Sequence, residues 1–266
     1  MPFSLFRYPG GKYYALKSLL LIIEKFDHDE FREPFFGGGT VFFNKKKCDV
    51  NIINDKYSDL VEFLKFIQNE DNSKNLIKIF ETTEIPTKEN HQSIKKMLPV
   101  NQLEKAFKFY YLNRTSFSGK MKNPHWGYRP IRSVPPKRWF EKIEVATKKL
   151  DKVKIENKDF EEIILRESSK KVLLYLDPPY YLANQKDHYV ESFSQDDHLR
   201  LLKTLRQTNH SFILSYDDCP EIRDLYKDFF INEMDFFYRI ENSNDNFSKR
   251  KKINELIISN KQINKV

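Results

Sequence analysis

Two hydrophobic periods alternate along this chain. Val172-Leu173-Leu174-Tyr175-Leu176 is a continuous apolar run of strand length. It has the character of a strand buried on both faces. Phe31–Phe36, Asn51–Asp55, Lys152–Glu156 and Ser211–Tyr216 are read as further strands. Phe229–Ile240 and Ile253–Ser259 read as a closing hairpin. Between these runs the period changes to that of a helix. Leu16, Leu19, Leu20 and Ile23 make one stripe, and Leu60, Phe63, Leu64 and Ile67 a second. Leu199, Leu202 and Leu205 are expected on the inner face of a helix begun by Ser194 and Asp197, and Pro220–Phe229 reads as another helix. Strands alternating with helices predict an α/β fold with a mainly parallel sheet. The stretch 57–150 breaks the alternation: it is mainly helical, with no clear buried strand. It is read as a domain inserted into a sheet domain built from 1–56 and 151–266.

Several strands end in residues that carry chemistry. Asp177-Pro178-Pro179-Tyr180 follows the apolar run directly. Two prolines cannot donate ladder hydrogen bonds, so the strand stops there in a rigid corner. The corner offers a carboxylate, prolyl carbonyls and a ring at the carboxyl end of a strand, where open α/β sheets bind ligands. Such a set suits a planar, amino-bearing group such as a nucleobase; a plain turn is the alternative. Gly37-Gly38-Gly39 stands between a strand and a helix, but Phe42 takes the place of the third glycine of the dinucleotide fingerprint. Asp55 lies 16 residues after Gly39, near the spacing of an acid that accepts from ribose hydroxyls. It reads equally as a helix N-cap. Asp159-Phe160 fits an adenine amino group and ring, or an N-cap followed by a core residue. Pro9-Gly10-Gly11-Lys12 is a loop before a helix with a cation beside it, suited to an anion. Tyr13 replaces the Ser or Thr of a P-loop.

Charge sharpens the picture. Hydrophobic residues make up 39% of the 266 residues, enough for a packed core, and the net charge is +8. Lys105–Phe140 holds nine Lys or Arg and no Asp or Glu, which leaves the rest of the chain at −1. Tyr110, Tyr111, Phe117, His125, Trp126 and Tyr128 interleave with those cations, around Gly119, Pro124, Gly127 and Pro130 that signal loops. Clustered cations with aromatics favour nucleic acid. Lys249-Arg250-Lys251-Lys252 is a second basic cluster, expected in the hairpin loop. Tyr181 to Gln195 reads as a substrate loop. Cys48 and Cys219 have no metal spacing and are read as reduced thiols of a cytosolic protein; His188, His198 and His210 show no ligand spacing either. No metal, no membrane span and a monomer are expected.

In this order, Tyr8-Pro9-Gly10-Gly11-Lys12, Glu33-Pro34-Phe35-Phe36-Gly37-Gly38-Gly39, Asn54-Asp55, Asn113-Arg114-Thr115-Ser116-Phe117-Ser118-Gly119, Asp159-Phe160, Asp177-Pro178-Pro179-Tyr180, Phe193–His198 and Glu255–Asn260 resemble the Dam-like (D12 class, alpha group) N6-adenine DNA methyltransferases. Each motif is short, and the ordered set spans nearly the whole chain. Pro9 and Gly38 depart from the commoner alanine and serine. The resemblance implies a Rossmann-like sheet carrying an inserted, mainly helical recognition domain. It implies S-adenosylmethionine as methyl donor, contacted by Tyr8, Lys12, Phe36, Asp55 and Asp177. Gly37 and Gly39 would admit it to the backbone, and Asp159 with Phe160 would hold its adenine. Asp177, Pro178, Pro179 and Tyr180 would serve the target base. Double-stranded DNA would meet Asn113, Arg114, Ser116, Lys120, Lys122, Trp126, Arg129, Lys249 and Arg250, with a restriction endonuclease as a companion. Amino methylation of cytosine or RNA uses a similar corner, and an inactive nucleic-acid-binding homologue has the same outline.

Overall fold

A computed structural model of the chain describes residues 2–8, 12, 14–182, 193–239 and 250–263, with the side chains of 235–239 and 250–253 excepted. Among the described residues seven strands form one sheet in the order β3-β2-β1-β4-β5-β7-β6. They are β1 (Glu30–Glu33), β2 (Val50–Asn54), β3 (Lys154–Glu156), β4 (Val172–Leu176), β5 (Ser211–Asp217), β6 (Phe230–Arg239) and β7 (Arg250–Ser259). The first five pair in parallel; β7 runs antiparallel to both β5 and β6.

The sheet is built as its apolar runs require. In β4, Val172, Leu174 and Leu176 pack on one face with Phe212, Leu214, Leu256 and Ile258. Leu173 and Tyr175 pack on the other, against α1 (Leu16–Glu24). Every β4 residue is buried. Chain order reverses between β1 and β4, so the crevice at their carboxyl ends is the topological switch point of the sheet.

Between β2 and β3 come α3 (Ser58–Gln68), α4 (Glu70–Thr82), α5 (Lys88–Lys96), α6 (Gln102–Thr115) and α7 (Phe140–Leu150). α2 (Thr40–Asn44) follows β1. The helical segment shares a core with the amino-terminal part: Phe6, Phe36 and Phe42 pack in one cluster with Phe63, Phe80, Tyr110 and Trp139. Residues 116–135 are mostly loop, with a 3-10 turn at Phe117–Gly119 and an isolated bridge between Ser116 and Trp126. After β3 come α8 (Phe160–Ile164), α9 (Gln195–Gln207) and α10 (Pro220–Leu225).

The structure corrects several boundaries. β1 ends at Glu33, before Pro34-Phe35-Phe36, because Pro34 has no N–H to continue the ladder. Leu199 is exposed; His198, Leu201, Leu202 and Leu205 form the buried stripe of α9. α10 stops at Leu225, short of Phe229. Arg250, Lys251 and Lys252 belong to β7, opposite Arg239, Tyr238 and Phe237, rather than to the loop. The substrate-loop reading ends at the Ser194 cap; its residues 183–192, with His188, lie outside the described residues.

Candidate active site

The tips of β1, β2, β3 and β4 meet around one cleft, lined among others by Tyr8, Lys12, Phe36, the three glycines, Asp55, Asp159, Phe160, Asp177, Pro179 and Tyr180. Of the residues named for cofactor or target base, Pro178 alone is not on its wall; it is buried between the wall residues Asp177 and Pro179 in the chain.

Glycine is required in the β1 turn for space and for backbone shape. Gly39 has φ +63°, and a Cβ there would stand 2.2 Å from Phe36 Cζ. A Cβ on Gly38 would approach Tyr8 Cβ to 2.9 Å. Tyr8 is thereby laid against the turn. Asp55, one residue past β2, locks the turn from below: Gly37 N donates to its Oδ2 at 2.7 Å and Tyr57 N to its Oδ1 at 2.9 Å. The cap position of α3 is Tyr57, so Asp55 is not its N-cap. Asp55 also lines the cleft. Buried Asn54 ties the strand tips together, donating to Pro34 O and Lys158 O at 3.0 Å each and accepting from Lys158 N at 2.8 Å.

Asp159 caps α8, accepting from Glu161 N at 3.0 Å. Its carboxylate also takes a two-pronged contact from Arg200 of α9, at 2.9 and 2.8 Å. The Arg200 guanidinium lies 4.7 Å from the Phe160 ring centre. Asp159 is thus the N-cap of α8, and Asp159 and Phe160 both line the cleft.

At the β4 corner Lys12 Nζ lies 2.7 Å from Asp177 Oδ1 and hydrogen-bonds the Tyr180 hydroxyl. The lysine side chain is 5% exposed and the Asp177 side chain 22%. Burial pushes the Asp177 carboxyl up to about 6, although the Lys12 ammonium pulls it down; Glu255 adds to the rise. Glu33, on the cleft floor and fully buried, is pushed well above the ordinary carboxylate range by burial and then by Asp177. Glu33, Glu255 and Arg200 are site residues that the motif reading left without a role. Glu33 carried a signal as an acid at a strand end before a glycine turn, and Glu255 as the first residue of a family-like motif; Arg200 carried none.

The residues expected at DNA divide sharply. Asn113, Arg114 and Ser116, expected at DNA, are buried. Asn113 makes a reciprocal pair with the Arg7 backbone, accepting from its N at 3.0 Å and donating to its O at 2.9 Å. It therefore fixes the segment that carries Tyr8. The Arg114 guanidinium is buried and packs 5.9 Å from the Trp139 ring centre. Lys122 and Arg129 are exposed, while Lys120 is half-buried. Trp126 is half-buried against His91 and Tyr128. The basic stretch is also less unopposed in space than in sequence: Lys105 pairs with Glu62 and Arg138 with Glu141. Lys249 lies outside the described residues, and of Arg250 only the backbone is described. Among the described residues no cluster of His, Cys, Asp or Glu could hold a metal, and no helix is long and apolar enough to cross a membrane.

A sheet reversing between β1 and β4, with a glycine turn and an acid–aromatic corner lining one cleft there, is a Rossmann-like α/β arrangement with its candidate site at the switch point. The family profile of D12 class N6 adenine-specific DNA methyltransferases matches residues 8–240, and the chain belongs to that family. It is 29% identical to the type II methyltransferase M1.LlaDCHI of Lactococcus lactis subsp. cremoris, over 97% of this chain and 95% of that protein. It is 27% identical to the type II methyltransferase M.CviBI of Paramecium bursaria Chlorella virus NC1A, over 88% and 90%. A DNA N-6-adenine-methyltransferase of Escherichia phage P1 is 24% identical over 85% of this chain and 31% of its own length. The chain is thus a DNA methyltransferase acting on adenine N6.

Proposed function

We propose that the cleft binds S-adenosylmethionine and an adenine extruded from duplex DNA, and that Asp177 and the Pro178 carbonyl accept the two hydrogens of the exocyclic amine. The observation that carries this reading is the position of Asp177: a partly exposed carboxylate on the wall of the same cleft as the glycine turn and Asp55.

The residues present fit the methyl donor. Asp55 offers acceptors for ribose hydroxyls, the glycine turn admits a group against the backbone, and Phe160 with Asp159 offers a ring and an acceptor for adenine. Arg200, already seated on both, has to share or yield that place. S-adenosylmethionine supplies an electrophilic methyl group on a sulfonium. The chain supplies the rest. Adenine N6 is a weak nucleophile because its lone pair is delocalised into the ring. Two acceptors at its hydrogens draw it toward tetrahedral geometry and stabilise positive charge developing there. Bound against the glycine turn, the donor would supply the methyl carbon, and Asp177 would hold the amine nitrogen toward it. The nitrogen then sheds one proton to water. Tyr180 stacks on the base, and alignment of the reacting atoms contributes much of the rate. A base within a duplex cannot reach this cleft, so it is flipped out, at a cost of a few kcal/mol.

Residues 57–150 are proposed as the target-recognition unit, with Lys120, Lys122, Arg129 and Trp126 toward DNA. The type II naming of two relatives supports a companion endonuclease at the same site. Mass analysis of nucleosides from duplex DNA treated with the protein and S-adenosylmethionine tests the reading. N6-methyladenine at one repeated sequence is expected; unmodified DNA contradicts it. A 2-aminopurine at the target position should brighten on binding, and an unchanged signal contradicts extrusion.

A further inference from the structure

Lys12 stands between two carboxylates. Its Nζ is 2.7 Å from Asp177 Oδ1 and 3.8 Å from Glu255 Oε1. Glu255 comes from β7, where it faces Asp217 of β5 across the ladder, so it reaches the corner from a strand that lines no part of the cleft wall. Its side chain is 12% exposed. Among the described residues its Oε2 is buried without a hydrogen-bond partner. Its negative charge, after burial and Asp177, helps hold the Tyr180 hydroxyl well above its ordinary range. Burying a carboxylate with incomplete pairing is costly, and one ammonium does not neutralise two. The trio of Lys12, Asp177 and Glu255 is left with an excess negative charge beside the place where an amine nitrogen would become positive.

We propose that Glu255 is a positioning residue for methyl transfer: it gives the Lys12 ammonium a second carboxylate, so that Asp177 is released to the amino group of the target base. The inference rests on the reading of Asp177 as acceptor of the adenine amine. The two contacts differ by 1.1 Å, a displacement within reach of a side chain with four rotatable carbons. With Lys12 leaning on Glu255, both Asp177 oxygens keep acceptor capacity, and the negative charge of Glu255 remains close to the reacting nitrogen. The other titratable groups that face Asp177 are Glu33 from β1, Tyr175 from β4, Tyr180 beyond the corner and Tyr216 from β5. Glu33 adds a further like charge only when ionised.

The test is the pH dependence of methylation of duplex DNA by the full chain, in wild type, Glu255→Gln, Glu255→Asp and Asp177→Asn. Glu255→Gln is expected to lower kcat between about tenfold and 10²-fold, the range for a reacting group misplaced by about 1 Å, with KM for DNA unchanged. Its acidic limb should move to lower pH, because a negative neighbour of Asp177 is gone and Lys12 is left to Asp177 alone. Glu255→Asp keeps the charge, and should keep the limb while losing part of kcat. A wild-type kcat in Glu255→Gln, or a lowered kcat with an unmoved limb, overturns the proposal. If Glu255→Gln does not fold, Glu255→Asp decides: a wild-type kcat overturns the proposal. Wild-type turnover by Asp177→Asn, which keeps an oxygen acceptor but loses the negative charge, overturns the reading of Asp177 as the group that stabilises the developing positive charge. An inert Asp177→Asn beside a wild-type-like Glu255→Gln overturns only the role of Glu255.

Discussion

Asp217 holds the peptide that leaves the Asp-Pro-Pro-Tyr corner: its Oδ1 accepts the Tyr181 N–H at 3.0 Å, and its Oδ2 accepts that of Leu182 at 2.9 Å. The end of β5 thus fixes the exit of β4. Asp217→Ala is expected to lower kcat by up to about 10²-fold, since small displacements of a reacting geometry carry that cost. DNA affinity should be retained. Unchanged turnover contradicts a positioning role.

Asp177 sets the pH dependence of transfer. With its carboxyl raised to about 6 by burial, protonation fills one acceptor as the pH falls through that value. The single-turnover rate should therefore decline below pH 6 with one proton, and be flat from 7 to 8. A rate constant down to pH 4.5 contradicts the assignment.

His198 makes the fold acid-sensitive. Buried beneath Tyr181 and Phe193 and bonded to Tyr216, it is lowered to about 4 by burial. An unfolded histidine titrates near 6.5. Between these values the unfolded chain binds the proton and the folded chain does not, so stability is lost as pH falls through that window. The loss is about 1.4 kcal/mol per unit of difference. Denaturant unfolding at pH 7.5 and 5 should show it, and Glu or Asp titrations aside, His198→Gln should flatten it.

Gly39→Ala tests the turn. At φ +63° an alanine costs ~1–3 kcal/mol in backbone strain, and its Cβ would meet the Phe36 ring. A lower melting temperature and loss of S-adenosylmethionine binding in calorimetry are expected. Wild-type binding contradicts the close approach at this turn.

Neutralising Lys120, Lys122 and Arg129 should weaken DNA binding and flatten its dependence on salt, by about 0.9 in logarithmic slope per lost phosphate contact. An unchanged slope removes them from the interface.

Much of this was legible in the chain. Continuous apolar runs such as Val172–Leu176 have few other solutions than a buried parallel strand, and the chemistry sits where those runs stop. The motif residues of the cleft follow from that rule. The burial of Asn113, Arg114 and Ser116 was not legible, because residue type alone does not tell a polar side chain that bonds backbone from one that faces a polyanion. Asn113 is spent on the Arg7 backbone, a contact across the fold. The roles of Glu255, quoted only as the start of a motif, and of Arg200 were not legible for a similar reason. Each arrives from an element distant in sequence, β7 or α9, and only the sheet order brings it to Lys12 or Asp159.

The most direct measurement is the methylation of duplex DNA by Asp177→Ala beside its binding to the same DNA. The account predicts no detectable N6-methyladenine with most of the DNA affinity kept. Turnover near the wild-type rate would contradict it.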